Sequence, residues 1–411
     1  MNNENQKLSF WNFLFLWSGA AISIAEIMTG GFVAPLGFKT GIISILLGHL
    51  LGTLLLVLGG IIGTREKIPS MTSTRLSFGI YGTYLFSVLN VLQLLGWTAV
   101  MIKSCAASLN LISSSLWSFN NTVVWSLVTG VLVIIWLAYG MTGFKKINTA
   151  AVFLLLLLTF VLGWIIFKTP NVISTPAGEG AYFGDALELS VVMALSWLPL
   201  IADYTRFAKS EKQAVYGSFL GYFLGSSWMF IIGLGAAIVS QNPDPSAMML
   251  ASNLGIAAFA VVALSTVTTT FMDAYSAGVT FLNLAPKLKE KTTTIGVTII
   301  GTLLALVFPI ENYETFLYAI GSVFAPLFAV LLTDYFILKK KLKASDNVLL
   351  NLGSALVWAV GIALYYVFIK YHFILGATIP SMIITAILYF ISWRFTEKWV
   401  LKKKSSSYTA A

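Results

Sequence analysis

The sequence predicts an all-α membrane protein with 12 transmembrane helices, and three observations carry that class. Of 411 residues, 58% are hydrophobic and only 10% charged, with a mean hydropathy of +0.87. A soluble domain carries about 25% charged residues. Apolar stretches of about 17–25 residues, long enough to cross a bilayer as a helix, recur along the whole chain. Finally, the basic residues fall almost entirely in alternate connections between those stretches.

Taken in order, the spans centre near Ile22, Leu51, Leu94, Val131, Leu155, Leu195, Phe223, Val267, Ile300, Phe324, Val357 and Ile384. The longest non-apolar segments are Thr64–Ser77, Lys168–Gly184 and the tail after Lys398, so no separate soluble domain is expected. The polar Met1–Ser9 segment runs straight into a full-length span without a cleavage-type site, which reads as no removable signal peptide.

The net charge of +9 is a topology signal. With a cytoplasmic N-terminus, 21 of the 25 Lys and Arg lie on the cytoplasmic side, including Arg65, Lys145, Lys209, Lys289, Lys340 and Lys402. Only Lys39, Lys103, Lys168 and Lys370 are left for the outer side. That asymmetry places both termini in the cytoplasm, with the chain a multi-pass protein of the inner (plasma) membrane, and argues against a nucleic-acid partner. The single cysteine, Cys105, excludes an intrachain disulfide framework and a thiolate metal site.

The first span, Trp11 to Leu36, contains a carboxylate, Glu26, followed closely by Gly30–Gly31. An acidic residue at the bilayer centre costs roughly 2.5–3.5 kcal/mol on insertion scales, so Glu26 needs compensation. The glycine pair suggests that the helix breaks there, at Thr29–Gly30–Gly31, and lines a cavity rather than lipid. The sixth span has Pro199 within Ser196–Trp197–Leu198–Pro199–Leu200. Breaks at matching places in two halves point to an inverted-repeat transporter. On that reading residues 1–170 form a first five-span repeat and 185–342 a second, with the outer segment Thr169–Gly184 between them. Two additional spans, 343–397, and a cytoplasmic tail, 398–411, follow. The other reading is that Gly and Pro are simply common in membrane helices; the breaks alone leave both open.

Three spans carry polar constellations. In the third, Asn90, Gln93 and Trp97 fall at i, i+3 and i+7 on one helix face. They could bind and stack a flat heteroaromatic ring, or Asn90 and Gln93 could be interhelical glue. In the sixth, Ser196 and Trp197 precede a proline that frees a backbone carbonyl; ordinary packing is the alternative. In the eighth, Ser265, Thr269 and Asp273 lie at i, i+4 and i+8, with Thr266, Thr268 and Thr270 between them. Hydroxyls beside free carbonyls of a broken helix suit a hard cation, though Ser and Thr also bond back to their own turn. Asp203, Arg206 and Asp334, at cytoplasmic span ends, read as ion-pair or gate residues. His49 and His372 are far apart and form no metal motif; each reads as a hydrogen-bonded helix contact. No Walker sequence or nucleophile elbow is present, so neither ATP-driven pumping nor a familiar hydrolase activity is indicated, and no enzyme is expected.

Several pieces together resemble the nucleobase:cation symporter-1 family, and within it bacterial cytosine permeases and hydroxymethylpyrimidine permeases. They are Met28–Thr29–Gly30–Gly31, Arg75–Leu76–Ser77–Phe78–Gly79, Gly96–Trp97 and Ala202–Asp203–Tyr204–Thr205–Arg206–Phe207. Thr268–Thr269 with Tyr275 and Gly278, Ala325–Pro326, and Thr333–Asp334–Tyr335 complete the set. No single piece is specific; their order and spacing over nearly the whole chain are.

The resemblance implies a leucine-transporter-like fold, a five-plus-five inverted repeat with two extra C-terminal helices, working as a monomer by alternating access. It implies that Trp97 stacks on the solute ring, with Ser196 and Trp197 close by. It also implies a sodium site from the carbonyls of Ile22, Ala25 and Ser265 and the hydroxyls of Thr268 and Thr269. Two departures stand out. Where cytosine permeases have small polar residues in the first span, this chain has Glu26. Near the cytosine-reading asparagine of the eighth span, it has Met272 followed by Asp273. A carboxylate suits a 4-aminopyrimidine without a ring carbonyl, accepting from the amine and, when it shares a proton, donating to the ring nitrogen. The expectation is therefore a sodium-coupled importer of hydroxymethylpyrimidine, with Glu26, Gln93, Trp97, Ser196, Trp197 and Asp273 around the solute. The alternatives are a cytosine, other nucleobase or hydantoin permease, and a proton as coupling ion carried on Glu26 or Asp273.

Overall fold

The structure, a computed structural model, describes residues 7–139, 141–241, 255–309, 312–342 and 347–402. The chain opens with α1 (Phe10–Ala21) and α2 (Ile24–Gly31), then α3 (Phe38–Glu66) and a single turn, α4 (Ser70–Ser73). Next come α5 (Arg75–Trp117), α6 (Thr122–Tyr139), α7 (Met141–Lys168), α8 (Phe183–Leu195) and α9 (Ile201–Thr205). After these are α10 (Glu211–Ser240), α11 (Gly255–Phe281), α12 (Glu290–Val307) and α13 (Tyr313–Leu332), which a π-turn, Thr333–Ile337, extends. The last helices are α14 (Leu352–Lys370) and α15 (Thr378–Thr396).

Among the described residues, seven helices are long and apolar enough to cross a membrane, and the bent pair α1–α2 makes an eighth. Hydroxyl-bearing side chains such as Thr53, Thr98, Ser190 and Thr298 are buried, while Leu54, Leu92, Phe160, Leu303 and Ile391 point outward. That distribution fits a protein solvated by hydrocarbon, where interior helix contacts use small and hydroxylated residues. Several buried hydroxyls return to their own helix, as Thr98 Oγ1 does to the Leu94 carbonyl (2.8 Å).

The first span is broken, but not where the glycine pair suggested. Helix α1 ends at Ala21 and α2 starts at Ile24, with a 55° bend between them. Ser23 adopts an extended conformation (φ −142°, ψ 160°), and its hydroxyl accepts from the Glu26 N–H at 3.4 Å, capping α2. Gly30 and Gly31 instead lie inside α2, and close packing explains them. A Cβ on Gly30 would come within 2.7 Å of the Phe230 carbonyl carbon in α10. One on Gly233 would overlap the Ile27 carbonyl oxygen and sit 2.9 Å from Gly31 N. The glycines let α2 and α10 meet backbone to backbone, as small residues do in membrane bundles.

The sixth span is broken as expected. Helix α8 ends at Leu195 and α9 starts at Ile201, so residues 196–200 form turns. The eighth span, α11, is an uninterrupted helix through Ser265 and Thr269. Freed carbonyls near its hydroxyls therefore belong to the broken first and sixth spans.

The protein is also not strictly all-α. Val348–Asn351 (β1) and Val400–Lys402 (β2) pair antiparallel, with Asn351 opposite Val400 and Val348 opposite Lys402. The expected tail at 398–411 thus carries a strand at Val400–Lys402, while 403–411 lie outside the described residues. The ribbon packs against Gly79, the one non-helical residue within α5 (φ 76°, ψ −172°). A Cβ there would meet the Val348 carbonyl oxygen at 2.8 Å, so both the backbone angle and the contact require glycine.

Candidate functional site

The two breaks and the faces of α5 and α11 enclose one buried cavity. Ser23, Ala25 and Glu26 line it from the first span, Trp97 and Met101 from α5, and Met193, Ser196 and Trp197 from the sixth span. Thr269 and Asp273 close it from α11. Residues singled out separately in sequence, from Ala25 to Asp273, are therefore brought to one place. The cavity holds about 20 Å³, the room of one water molecule. A six-membered ring enters only if a wall moves. A second cavity of about 510 Å³, lined by residues such as Phe32, Pro35, Tyr182, Asp185, Gln241 and Glu314, lies beyond the end of α2.

The third-span stripe divides by role. Asn90 Nδ2 donates to Thr280 Oγ1 of α11 (2.9 Å), which is interhelical glue. Gln93 Nε2 donates to the Ser196 carbonyl at 3.0 Å. Pro199 has no N–H to bond back to Ser196, so the proline break frees this carbonyl and Gln93 occupies it. Gln93 Oε1 is buried, one turn from the cavity-lining Trp97, and has no hydrogen-bond partner among the described residues. Trp97 is held edge-on by Tyr313 (ring centroids 6.0 Å) and Phe316 (5.6 Å). Trp197 meets Trp17 edge to face at 5.8 Å and 89°. Both indoles thus have fixed orientations at the cavity wall.

Glu26 is 2% exposed and receives two hydroxyl donors. Tyr222 Oη donates to Oε1 at 3.0 Å, and Ser226 Oγ lies 2.6 Å from Oε2. Ser226 also touches His49 Nε2 at 2.6 Å, and His49 Nδ1 lies 2.9 Å from the Ile45 carbonyl. Tyr222, Ser226 and His49 were not linked to Glu26 by sequence reasoning. Their signal is weak: Tyr222 and Ser226 share a face of α10 at i, i+4, and His49 is one of two histidines. The break itself had a clearer signal, since Ser23–Ile24–Ala25–Glu26 is an S-x-x-E helix start.

The expected cation ligands are partly described. In a continuous helix Glu26 N–H would bond to the Ile22 carbonyl; here it turns to Ser23 Oγ, which relieves that carbonyl of its usual donor. The Ala25 carbonyl accepts from Thr29 Oγ1 at 2.7 Å. Thr269 faces the same cavity as Ala25. The side chains of Ser265 and Thr268 lie outside the described residues. Among the described residues no group of three His, Cys, Asp or Glu could hold a metal.

The charges at the far span ends are structural ties. Asp203 Oδ1 accepts from Ser70 N (3.0 Å), while Ser70 Oγ accepts from Ala202 N (2.8 Å), which clamps α4 to α9. Asp334 pairs with Lys340 at 2.8 Å and accepts from Tyr389 Oη. None of these residues lines the cavity.

Comparison with known proteins places this geometry. Residues 1–393 match the family described as permease for cytosine/purines, uracil, thiamine, allantoin. The cytosine permease of Escherichia coli K12 is 26% identical over 386 residues, covering 91% of this chain and 90% of that protein. The solved structure of Mhp1, a nucleobase-cation-symport-1 family transporter closed around bromovinylhydantoin, superposes with a TM-score of 0.82. It is 19% identical and covers 99% of this chain and 98% of its own, which shows a shared fold. A Na+-coupled sialic acid symporter shares the fold more loosely, at TM-score 0.67 and 14% identity, covering 97% of this chain and 92% of its own. The homologues are permeases and not enzymes, and this chain, a multi-pass membrane protein, belongs to the permease family for cytosine/purines, uracil, thiamine and allantoin.

Proposed function

We propose that the protein is a secondary active, sodium-coupled importer of a small aminopyrimidine, hydroxymethylpyrimidine being the solute its site suits best. The observation that carries the reading is Glu26 in the cavity wall together with Trp97 and Trp197. Two indoles supply stacking faces for a flat ring. Each carboxylate oxygen of Glu26 accepts one hydroxyl and has a lone pair left for an exocyclic amine. Gln93 Oε1, buried and without a partner among the described residues, is a further acceptor for a ring substituent, and Asp273 faces the site from α11. A cytosine carbonyl in the same place would meet these acceptors without a matching donor, an unfavourable burial.

In this account twelve spans form the five-plus-five repeat with two extra helices, acting as a monomer with both termini in the cytoplasm. Sodium sits between the Ile22 and Ala25 carbonyls and the α11 hydroxyls Thr268 and Thr269, near the Ser265 carbonyl. The relieved Ile22 carbonyl supports that position, as does the placement of Ala25 and Thr269 on one cavity. The name of the sialic acid symporter, Na+-coupled, agrees with this choice of ion. The family description, which includes both pyrimidine bases and thiamine, agrees with the solute class. The second reading, a cytosine or hydantoin permease, is favoured by the E. coli relative and by the hydantoin bound to Mhp1.

Thermal unfolding of the purified protein with a panel of pyrimidines, each with and without sodium, tests the reading. A ligand that binds only the folded state raises the apparent Tm by mass action. Stabilisation by hydroxymethylpyrimidine that grows with sodium is expected. Stabilisation by cytosine or a hydantoin alone would replace the proposed solute, and indifference to sodium would remove the proposed ion.

A further inference from the structure

The two amides of the third-span stripe are wired in one direction. The Ser196 carbonyl only accepts, so the Gln93 atom 3.0 Å from it is the nitrogen, which fixes that amide. The second hydrogen on Gln93 Nε2 goes to Asn90 Oδ1 at 3.3 Å, which turns Asn90 Nδ2 to Thr280 Oγ1 at 2.9 Å. A reversed Asn90 would set nitrogen against nitrogen. One carbonyl therefore sets the polarity of a relay that runs from the sixth-span break through α5 to α11. All four residues are buried, Gln93 at 4% exposure.

Pro199 is the origin of that carbonyl's freedom. Around it, each N–H bonds three residues back: Trp197 N to Ala194 O at 3.3 Å, Leu198 N to Leu195 O at 2.9 Å, and Leu200 N to Trp197 O at 3.0 Å. The bond from residue 199 to Ser196 is the gap in this run, because proline has no N–H. Gln93 fills the gap. With both hydrogens of Nε2 spent, Gln93 has only Oε1 left, and Oε1 has no partner among the described residues. Side chains four apart are neighbours on a helix, so Gln93 stands beside Trp97 at the cavity wall.

We propose that Asn90 is a positioning residue for solute specificity: by taking the second hydrogen of Gln93 it holds Oε1 as an acceptor only, so that the site beside Trp97 admits a solute amine and disfavours an oxo group. The inference rests on the reading that a pyrimidine stacks on Trp97, though not on which pyrimidine. Asn90 itself does not line the cavity. Its effect is on the cost of reversing Gln93. Turning that amide to offer N–H to an oxo group breaks two hydrogen bonds with Asn90 in place and one without it.

Thermal stabilisation of the protein in nanodiscs gives dissociation constants for two matched pairs: hydroxymethylpyrimidine with its 4-oxo counterpart, and cytosine with uracil. In whichever pair binds, the wild type is expected to prefer the amine. Asn90→Leu, similar in volume but without polar side-chain atoms, should cut that preference about 3- to 10-fold. Gln93→Met should cut it at least as far, and adding Asn90→Leu to Gln93→Met should change it no further. Pro199→Ala returns an N–H to the Ser196 carbonyl, loosens Gln93 and should reduce the preference with Asn90 intact.

An unchanged preference in Asn90→Leu, with both members weakened equally, would make Asn90 plain glue between α5 and α11 and overturn the proposal. So would a wild type that prefers the oxo member, a preference that survives Gln93→Met, or an Asn90→Leu effect of full size with Gln93→Met present. Should Asn90→Leu fail to fold, an unchanged preference in Pro199→Ala would overturn it equally. Binding of the cytosine pair alone would replace the proposed solute and leave the Asn90 effect to be decided on that pair. Binding of none of the four would overturn both readings.

Discussion

Replacing Gly233 by alanine tests the backbone contact that sets Glu26 against its partners. The added Cβ would overlap the Ile27 carbonyl oxygen and lie 2.8 Å from its carbon and 2.9 Å from Gly31 N. These are backbone atoms, so no rotamer change clears the clash and α2 must move away from α10. Glu26 sits next to Ile27, and its donors Tyr222 and Ser226 lie on α10, so the same displacement stretches bonds of 3.0 and 2.6 Å. Overpacking a well-fitted contact costs about 1–3 kcal/mol, and a clash with backbone belongs at the upper end. At about 2–3 kcal/mol, the folded-to-unfolded ratio drops about 30- to 150-fold. The assay is thermal unfolding of purified protein alongside solute uptake in proteoliposomes. Gly296→Ala on α12 is the control, since nothing lies within 4 Å of the Cβ it would add. It should be neutral or raise stability by up to about 1 kcal/mol through helix propensity. Wild-type Tm and wild-type uptake for Gly233→Ala would refute the close α2–α10 contact as the device that positions Glu26.

Three further outcomes are expected. Trp97→Ala should raise the uptake KM about 10- to 100-fold through lost stacking and apolar contact, and an unchanged KM would remove Trp97 from the solute site. Glu188→Ala should lower stability by about 2–3 kcal/mol, read as a Tm loss, because it leaves buried donors unpaired. Its carboxylate accepts from Ala377 N, Thr378 N, Thr378 Oγ1 and Tyr365 Oη at 2.6–2.8 Å; an unchanged Tm would mean this tie is dispensable. Replacing sodium by choline at fixed pH should reduce initial uptake, and undiminished uptake would exclude sodium as the coupling ion.

Much of the site was legible in the sequence because charged and amide residues are conspicuous in apolar spans. Glu26, Trp97, Ser196, Trp197, Thr269 and Asp273 could each be singled out, and all six line one cavity. Their partners were not legible. Tyr222 and Ser226 are 196 and 200 residues from Glu26, and periodicity within one helix carries no information about a neighbour so distant. Glu188 escaped notice for the same reason: its ligands come from α14 and the start of α15. The position of the first break was misread because glycine in a membrane helix has two uses, breaking it or bringing a second helix close. Gly30 and Gly31 serve the second, while Ser23, an unremarkable residue in composition, caps the real break. The β1–β2 ribbon joins segments 49 or more residues apart, and its apolar run Val348–Leu350 merges in sequence with the span that follows.

The most direct test of the account is competition for uptake of radiolabelled hydroxymethylpyrimidine into proteoliposomes, by the unlabelled compound and by cytosine, in the wild type and in Glu26→Gln. The account expects the unlabelled compound to compete strongly and cytosine weakly in the wild type, with that preference and the affinity lost in the variant. Equal competition by cytosine in the wild type, or a variant with unchanged preference and affinity, would contradict it.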